Sequence, residues 1–138
     1  MIRRPPRSTH CISSAASDVY KRQWLFSSLV LGCNGLLSGS GSVIPDLQSQ
    51  LFAAVQKNDL AAARALNDRI EPLMRVFYAD PFVDMHNRMK EALVLLGRLP
   101  RAVVRPPLVK LAGPEIDRIH AALVKAGLLS AKTTRDAA

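Results

Sequence analysis

No charged residue stands between Arg22 and Asp46. An uncharged stretch of that length, led by Lys21-Arg22, limits the chain to three options: a secretory leader, a membrane span, or two buried elements in succession. A membrane helix needs about 20 predominantly apolar residues. Here the clearly apolar part, Trp24 to Leu37, is broken by Gly32, Asn34 and Gly35, and the polar run Ser38 to Ser42 follows it. The two-element option is therefore expected. Trp24 to Leu31 ends a helix, Gly32 to Asn34 turns the chain, and Gly35 to Ser38 enters a short buried strand. The stretch SGSGS then loops to Pro45, whose fixed φ suits the first turn of a helix.

The basic flank that would make this stretch a leader belongs to an unusual prefix. MIRRPPRSTHCISSAASDVYKRQ, residues 1–23, has neither helical nor strand spacing of apolar residues. It resembles translated sequencing adapter. The flow-cell end of a common library adapter reads as Met1 to Thr9, and a transposase-type read primer reads as Ser13 to Gln23 in the same frame. His10, Cys11 and Ile12 fit a leftover base and a sample index. The prefix is expected to be disordered and is set aside from fold reasoning. It holds Arg3, Arg4, Arg7, Lys21 and Arg22 against Asp18, half of the chain's formal charge of +8. A residual +4 scattered over helices gives little footing for a nucleic-acid partner. Once Cys11 is set aside, Cys33 is the only cysteine. It offers no disulfide framework and no reason to place the chain in an oxidising compartment; a cytoplasmic location is the expectation.

From Pro45 the spacing is helical. Leu47, Leu51 and Val55 form one stripe over Pro45 to Gln56. Lys57-Asn58-Asp59 breaks it, and Asp59 can cap the next helix. That helix is expected to run to about Ala79, burying Leu66, Ile70, Leu73 or Met74, and Phe77, with a kink at Pro72. Asp80-Pro81 starts another, to about Leu96, with Met85, Met89, Ala92, Leu93 and Leu96 inward; Gly97 ends it. The prolines of RLPRAVVRPPLVKL keep that segment extended. Gly113-Pro114-Glu115 opens the last helix, which carries Ile116, Ile119, Leu123 and Val124 inward and closes at Gly127. Ser130 to Ala138 is a polar tail. The inventory is mainly α, with one strand that has no evident partner. Buried backbone groups need partners, so the chain is expected to be the end of something larger.

LGCNGLLSGSGSVIPDLQSQLFAAVQKNDLAAARALNDRIEPLMRVFYADP resembles the carboxyl-terminal part of the dihydrodipicolinate synthase/N-acetylneuraminate lyase family. The matching order is Gly32 to Ser38, Pro45 to Gln56, Asp59 to Ala79, Lys90 to Gly97, Arg105 to Leu108 and Pro114 to Leu128. The resemblance implies an α/β (β/α)8 TIM barrel with appended helices, which takes about 250 residues before its appendix. Residues 24–57 would be its last βα unit, with strand eight and helix eight, 58–129 three appended helices, and 130–138 the tail. It implies class I aldolase or lyase chemistry on pyruvate or a related 2-oxo acid. A lysine forms a Schiff base and a tyrosine relays protons, with no cofactor or metal. It also implies a homo-oligomeric parent, commonly a tetramer, and no membrane partner.

The implied lysine and tyrosine lie on earlier strands, so this chain is expected to be inactive alone, with no catalytic residue of its own. Lys57, Lys90, Lys110, Lys125 and Lys132 read as solvated, Tyr78 as packed and His120 as half exposed. Asp84 and His86, two apart on a helix, do not face each other, and no metal or phosphate motif occurs. Strand ends edge the active site in such barrels, so Leu37, Ser38 and Gly39 are the expected edge of the substrate pocket. Ser42 departs from the Asn often found in the family. Two other classes remain open from the residues themselves: a free-standing helical protein-interaction module, and a secreted or membrane-anchored protein.

Overall fold

A computed structural model describes residues 25–130. The prefix, Trp24, Lys132 and the tail beyond Ser130 lie outside the described residues, and with them the expectations of disorder and fraying. Among the described residues five α-helices follow one another: α1 (Leu25–Val30), α2 (Pro45–Gln56), α3 (Leu60–Phe77), α4 (Met85–Leu95) and α5 (Gly113–Lys125). Short 3-10 turns occupy Gly39–Ser42 and Phe82–Asp84. The chain divides into two compact units, one up to Asp68 and one from Arg69 onward.

In the first unit α1 packs on α2. Gly32 ends α1 at φ +98°, a conformation that glycine reaches without steric cost. The backbone N–H of Cys33 then donates to the Ser28 carbonyl at 3.1 Å, and the Cys33 side chain is buried. Pro45 stands at the start of α2 with Asp46 in its first turn, where a carboxylate complements the helix dipole. Leu47, Leu51 and Val55 are all buried, as their spacing requires. Asn58 takes φ +58° and stops the helix, and the Asp59 carboxylate accepts the Ala62 N–H at 3.0 Å.

One expectation fails here. Gly35–Ser38 is not a strand, and it is not buried: Leu37 is 76% exposed. A strand exists only through pairing with a neighbour about 4.8 Å away, and no described residue supplies one.

In the second unit Ile70, Leu73, Met74 and Phe77 of α3 form the buried stripe. The helix is continuous through Pro72 and ends at Phe77 rather than Ala79. α4 begins at Met85 rather than at Pro81, because the intervening residues form the 3-10 turn. α4 packs on α5, and Met89 and Ala92 of the one and Ile119 and Leu123 of the other are buried. Leu93, Leu96 and Val124 are only half-buried, while Arg88, Glu91, Ala122 and Ala126 are buried. Each helix is rotated slightly from the face that the leucines and valines suggest. Gly97 and Gly127 both take φ +70° just beyond their helices. Arg69 Nε donates to the Ala126 carbonyl at 3.0 Å and ties α3 to the end of α5. Among the described residues no helix is long and apolar enough to cross a membrane.

Candidate functional site

The first unit carries a small polar network at the end of the segment that follows α1. Ser38 is extended, at φ −142° and ψ 133°, and the chain then coils tightly. The Gly41 N–H donates to the Ser38 carbonyl at 3.0 Å, and the Val43 N–H to the Ser40 carbonyl at 2.9 Å. This coil brings the hydroxyls of Ser38 and Ser40 to 2.7 Å. Gln48, one turn into α2 and 7% exposed, donates from Nε2 to Ser40 Oγ at 2.9 Å and to Ser38 Oγ at 3.3 Å. Gly41 packs closely on this network: a Cβ there would lie 3.1 Å from Gln48 Oε1, a tight contact. Ser42 Oγ donates to the Gly39 carbonyl at 2.9 Å, holding the turn from its outer side.

Beside this network lies a cavity of about 480 Å³, lined by Asn34, Gly35, Leu36, Gly41, Pro45, Gln48, Ser49 and Phe52. Of the three residues expected at a pocket edge, Ser38 is half-buried within the network, while Leu37 and Gly39 are exposed. None of the three lines the cavity. Gln48 was not singled out from the sequence; its place one residue after Leu47 on the buried stripe was the available signal.

The other inspected residues are dispersed. Lys57, Lys90, Lys110 and Lys125 are exposed; Lys90 Nζ donates to the Val103 carbonyl at 2.6 Å. Tyr78 is buried, and its ring stacks on Phe82 with centroids 6.3 Å apart. Asp84 accepts from Asn87 Nδ2 at 3.5 Å, and His86 is exposed. His120 is half-buried, with Nε2 unpartnered, as is Glu91 Oε1. No group of three or more His, Cys, Asp and Glu side chains is placed to hold a metal among the described residues.

The second unit holds a polar centre that the sequence did not announce. Arg88 is 1% exposed. Its Nε donates to Glu115 Oε1 at 2.6 Å, and Nη1 to the carbonyls of Ala79 at 2.6 Å, Pro81 at 3.2 Å and Phe77 at 3.5 Å. Nη2 donates to the Asp80 carbonyl at 3.3 Å. The guanidinium thus sits at the carboxyl end of α3, where the dipole favours a cation, and meets a carboxylate in the first turn of α5, where it favours an anion. Asn87 Nδ2 reaches the Val109 carbonyl at 2.8 Å and anchors the extended segment before α5. Donors spent in this way bind the protein to itself, and Arg88 is 1% exposed.

A sequence model of the dihydrodipicolinate synthetase family matches residues 21–126. The 4-hydroxy-tetrahydrodipicolinate synthase of Rhodopseudomonas palustris (strain BisA53) is 36% identical over 102 residues, which are 74% of this chain and 33% of that protein. A putative 2-dehydro-3-deoxy-D-gluconate aldolase of Escherichia coli (strain K12) is 35% identical over 91 residues, 65% of this chain and 29% of that protein. The crystal structure of dihydrodipicolinate synthase from Thermotoga maritima superposes with a TM-score of 0.67 at 25% identity, over 78% of this chain and 35% of that one. A monomeric dihydrodipicolinate synthase variant superposes with a TM-score of 0.71 at 21% identity, over 92% of this chain and 44% of that one. The chain spans about a third of the length of the curated relatives it matches.

Proposed function

The chain belongs to the dihydrodipicolinate synthetase family, and from that premise we propose that it is the closing part of a Schiff-base lyase acting on pyruvate or a related 2-oxo acid. Its fold is the carboxyl-terminal piece of a (β/α)8 TIM barrel with appended helices. The observation that carries the functional reading is the 36% identity over 102 residues to a 4-hydroxy-tetrahydrodipicolinate synthase. In the proposed chemistry a lysine amine adds to the keto carbon of the 2-oxo acid and expels its oxygen as water. The resulting iminium accepts the electron pair released when a neighbouring carbon–carbon bond breaks, or supplies the nucleophilic enamine when one forms. A tyrosine carries the protons. Both residues belong to the part of the barrel that precedes this chain in the family.

The contribution of the present residues is positional. Ser38 and Gly39 stand at the carboxyl end of the segment after α1, the end at which barrels of this kind hold their substrates. The bonds from Gln48 to the Ser38 and Ser40 hydroxyls fix that end against α2. The reading includes a cytoplasmic, homo-oligomeric parent that needs no metal or organic cofactor. Similarity to both a synthase and a 2-dehydro-3-deoxy aldonate aldolase supports the 2-oxo acid half of the substrate as the shared feature and leaves the second half to loops outside this chain.

Borohydride trapping tests the assignment. It reduces an imine to a stable amine, so a Schiff-base lysine incubated with pyruvate gains mass. Imine formation needs an unprotonated amine, which burial or an adjacent cation provides. Lys57, Lys90, Lys110 and Lys125 are exposed to solvent. The expected mass change on this chain is nil. Saturable labelling of any one lysine would overturn the proposal that the chain carries no catalytic residue.

A further inference from the structure

Between Glu91 and Glu115 the sequence holds Arg98, Arg101, Arg105 and Lys110 and no acidic residue, whereas the rest of residues 24–138 is balanced, with ten cations and ten acids. The residual charge of +4 is therefore concentrated in one stretch and not scattered over the helices. Arg98 has an interaction of its own. Arg101, Arg105 and Lys110 are exposed, and none of these three side chains forms an ion pair or hydrogen bond with a described residue. Two exposed valines stand among them, Val103 at 54% and Val109 at 74%.

Residues 101–105 are neither helix nor strand, yet their exposure alternates. Arg101, Val103 and Arg105 are exposed, while Ala102 and Val104 are half-buried. The backbone N–H groups of Ala102, Val103, Val104 and Arg105 find no partner among the described residues. The segment is nonetheless tied down. Lys90 Nζ donates to the Val103 carbonyl at 2.6 Å, and Asn87 Nδ2 to the Val109 carbonyl at 2.8 Å. Asn87 and Lys90 are three apart on α4 and so share one face of it. The Leu108 N–H donates to the Arg105 carbonyl at 3.1 Å and turns the chain between the two valines. The carbonyls of both valines are thus tethered to the same turn of α4, and a cation stands within two residues of each.

We infer that the exposed side of residues 101–110 is a docking surface for an acidic peptide segment of another protein, one in which carboxylates alternate with apolar side chains. Three observations select this occupant. The unpaired charges are all positive, so their complement is anionic. The exposed valines interrupt the charge, so the complement carries apolar side chains as well. The open N–H groups call for a row of carbonyl acceptors, which the backbone of a peptide supplies by lying alongside as an added strand. A lipid headgroup offers no such row, and residues 92–114 hold no aromatic ring on which a nucleic-acid base would stack. The tethers to α4 hold the surface in place before binding, which lowers the ordering cost. The surface lies wholly in the second unit and is independent of the Schiff-base reading.

The probe is a dye-labelled peptide of alternating glutamate and valine, titrated into the full 138-residue chain with fluorescence anisotropy as the readout. Saturable binding is expected, weakened at least tenfold when salt rises from about 0.05 M to about 0.5 M. Arg101→Glu with Arg105→Glu should weaken it at least tenfold, and Val103→Ser at least threefold. Arg3→Glu with Arg4→Glu makes the same change in net charge within the prefix and should shift the affinity less than twofold. Amide hydrogen exchange from Ala102 to Arg105 should slow at least fivefold in the complex, a readout that needs no variant. Equal weakening by the two pairs of substitutions would assign the binding to net charge and overturn the inference. No binding, binding without protection of these amides, or equal binding of a peptide of glutamate alone would overturn it too. Vesicles of phosphatidylserine or a single-stranded oligonucleotide that protect these amides, where the peptide does not, would assign the surface to a membrane or a nucleic acid and overturn it equally.

Discussion

Arg88 spends its donors on four backbone carbonyls and a carboxylate, whereas the backbone of Gly35, Leu36 and Leu37, in the other unit, finds no partner among the described residues. Both regions place polar groups next to apolar side chains. Around Arg88 and Asn87 the second unit supplies the partners itself: the end of α3 gives carbonyls, the start of α5 gives Glu115, and the segment between α4 and α5 gives the Val109 carbonyl to Asn87. In the first unit the side chains are served, since Gln48 satisfies both serine hydroxyls, but the backbone beside them is not. Gly35 and Leu37 are exposed, so solvent can serve their backbone, whereas Arg88 is 1% exposed and must be served by the protein.

The largest effect should come from removing Arg88. Arg88→Leu leaves the Glu115 carboxylate and the carbonyls of Ala79 and Asp80 without their donor. Breaking a buried ion pair from one side costs about 3–5 kcal/mol. Amide exchange in α4 and α5 should therefore accelerate by a factor of several hundred or more. The double change Arg88→Leu with Glu115→Leu should recover part of that loss, because no carboxylate is then stranded. If Arg88→Leu left exchange in the second unit unchanged, the claim that this centre holds the unit together would fail.

Gln48→Ala comes next. It removes the donor shared by Ser38 and Ser40 and opens space at the floor of the network. Ser38 and Ser40 keep their mutual bond at 2.7 Å but lose the amide donor, and a hydrogen bond of this kind is worth about 0.5–1.5 kcal/mol. The effect should appear in the amides of α2 and of the turn at Gly39–Ser42, and not in α4 or α5. Equal acceleration in both units would break the comparison between them.

What the sequence disclosed and what it withheld divide along the same line. Helix bounds were legible wherever a local signal sets them: Pro45 opens α2, Asp59 caps α3, and Gly97 and Gly127 turn left-handed just past α4 and α5. The stripes of α2 and α3 were legible because leucine, isoleucine and valine repeat there at helical spacing. Arg88 was not, because its burial depends on carbonyls and a carboxylate that are distant in sequence. On α4 the spacing of Met85, Met89 and Ala92 already includes position 88, but a charged residue there reads as solvated until its partners are seen. The site shows the same split. The family resemblance leads to Leu37, Ser38 and Gly39 as an expected pocket edge, whereas the bonds of Gln48 need the coil at Gly39–Ser42 to bring two hydroxyls together. The strand expected at Gly35–Ser38 does not form, although Ser38 at its end is extended. Spacing and composition report what a segment prefers, and pairing depends on a neighbour.

The smallest effect is expected at Leu37, and it bears most directly on the contrast between the units. Leu37→Asp puts a carboxylate on a side chain that is 76% exposed in the free chain. Exposed substitutions away from caps, cores and networks stay within about 0.5 kcal/mol. Thermal unfolding and α2 amide exchange of the free variant should therefore match those of the unaltered chain. Leu36→Asp provides the internal contrast. Leu36 is half-buried and lines the cavity, so a carboxylate there would sit against apolar surface, and the variant should be measurably less stable. If instead Leu37→Asp destabilised the free chain as much as Leu36→Asp, Leu37 would already be covered within its own unit. The open face on which the difference between the two regions depends would then not exist.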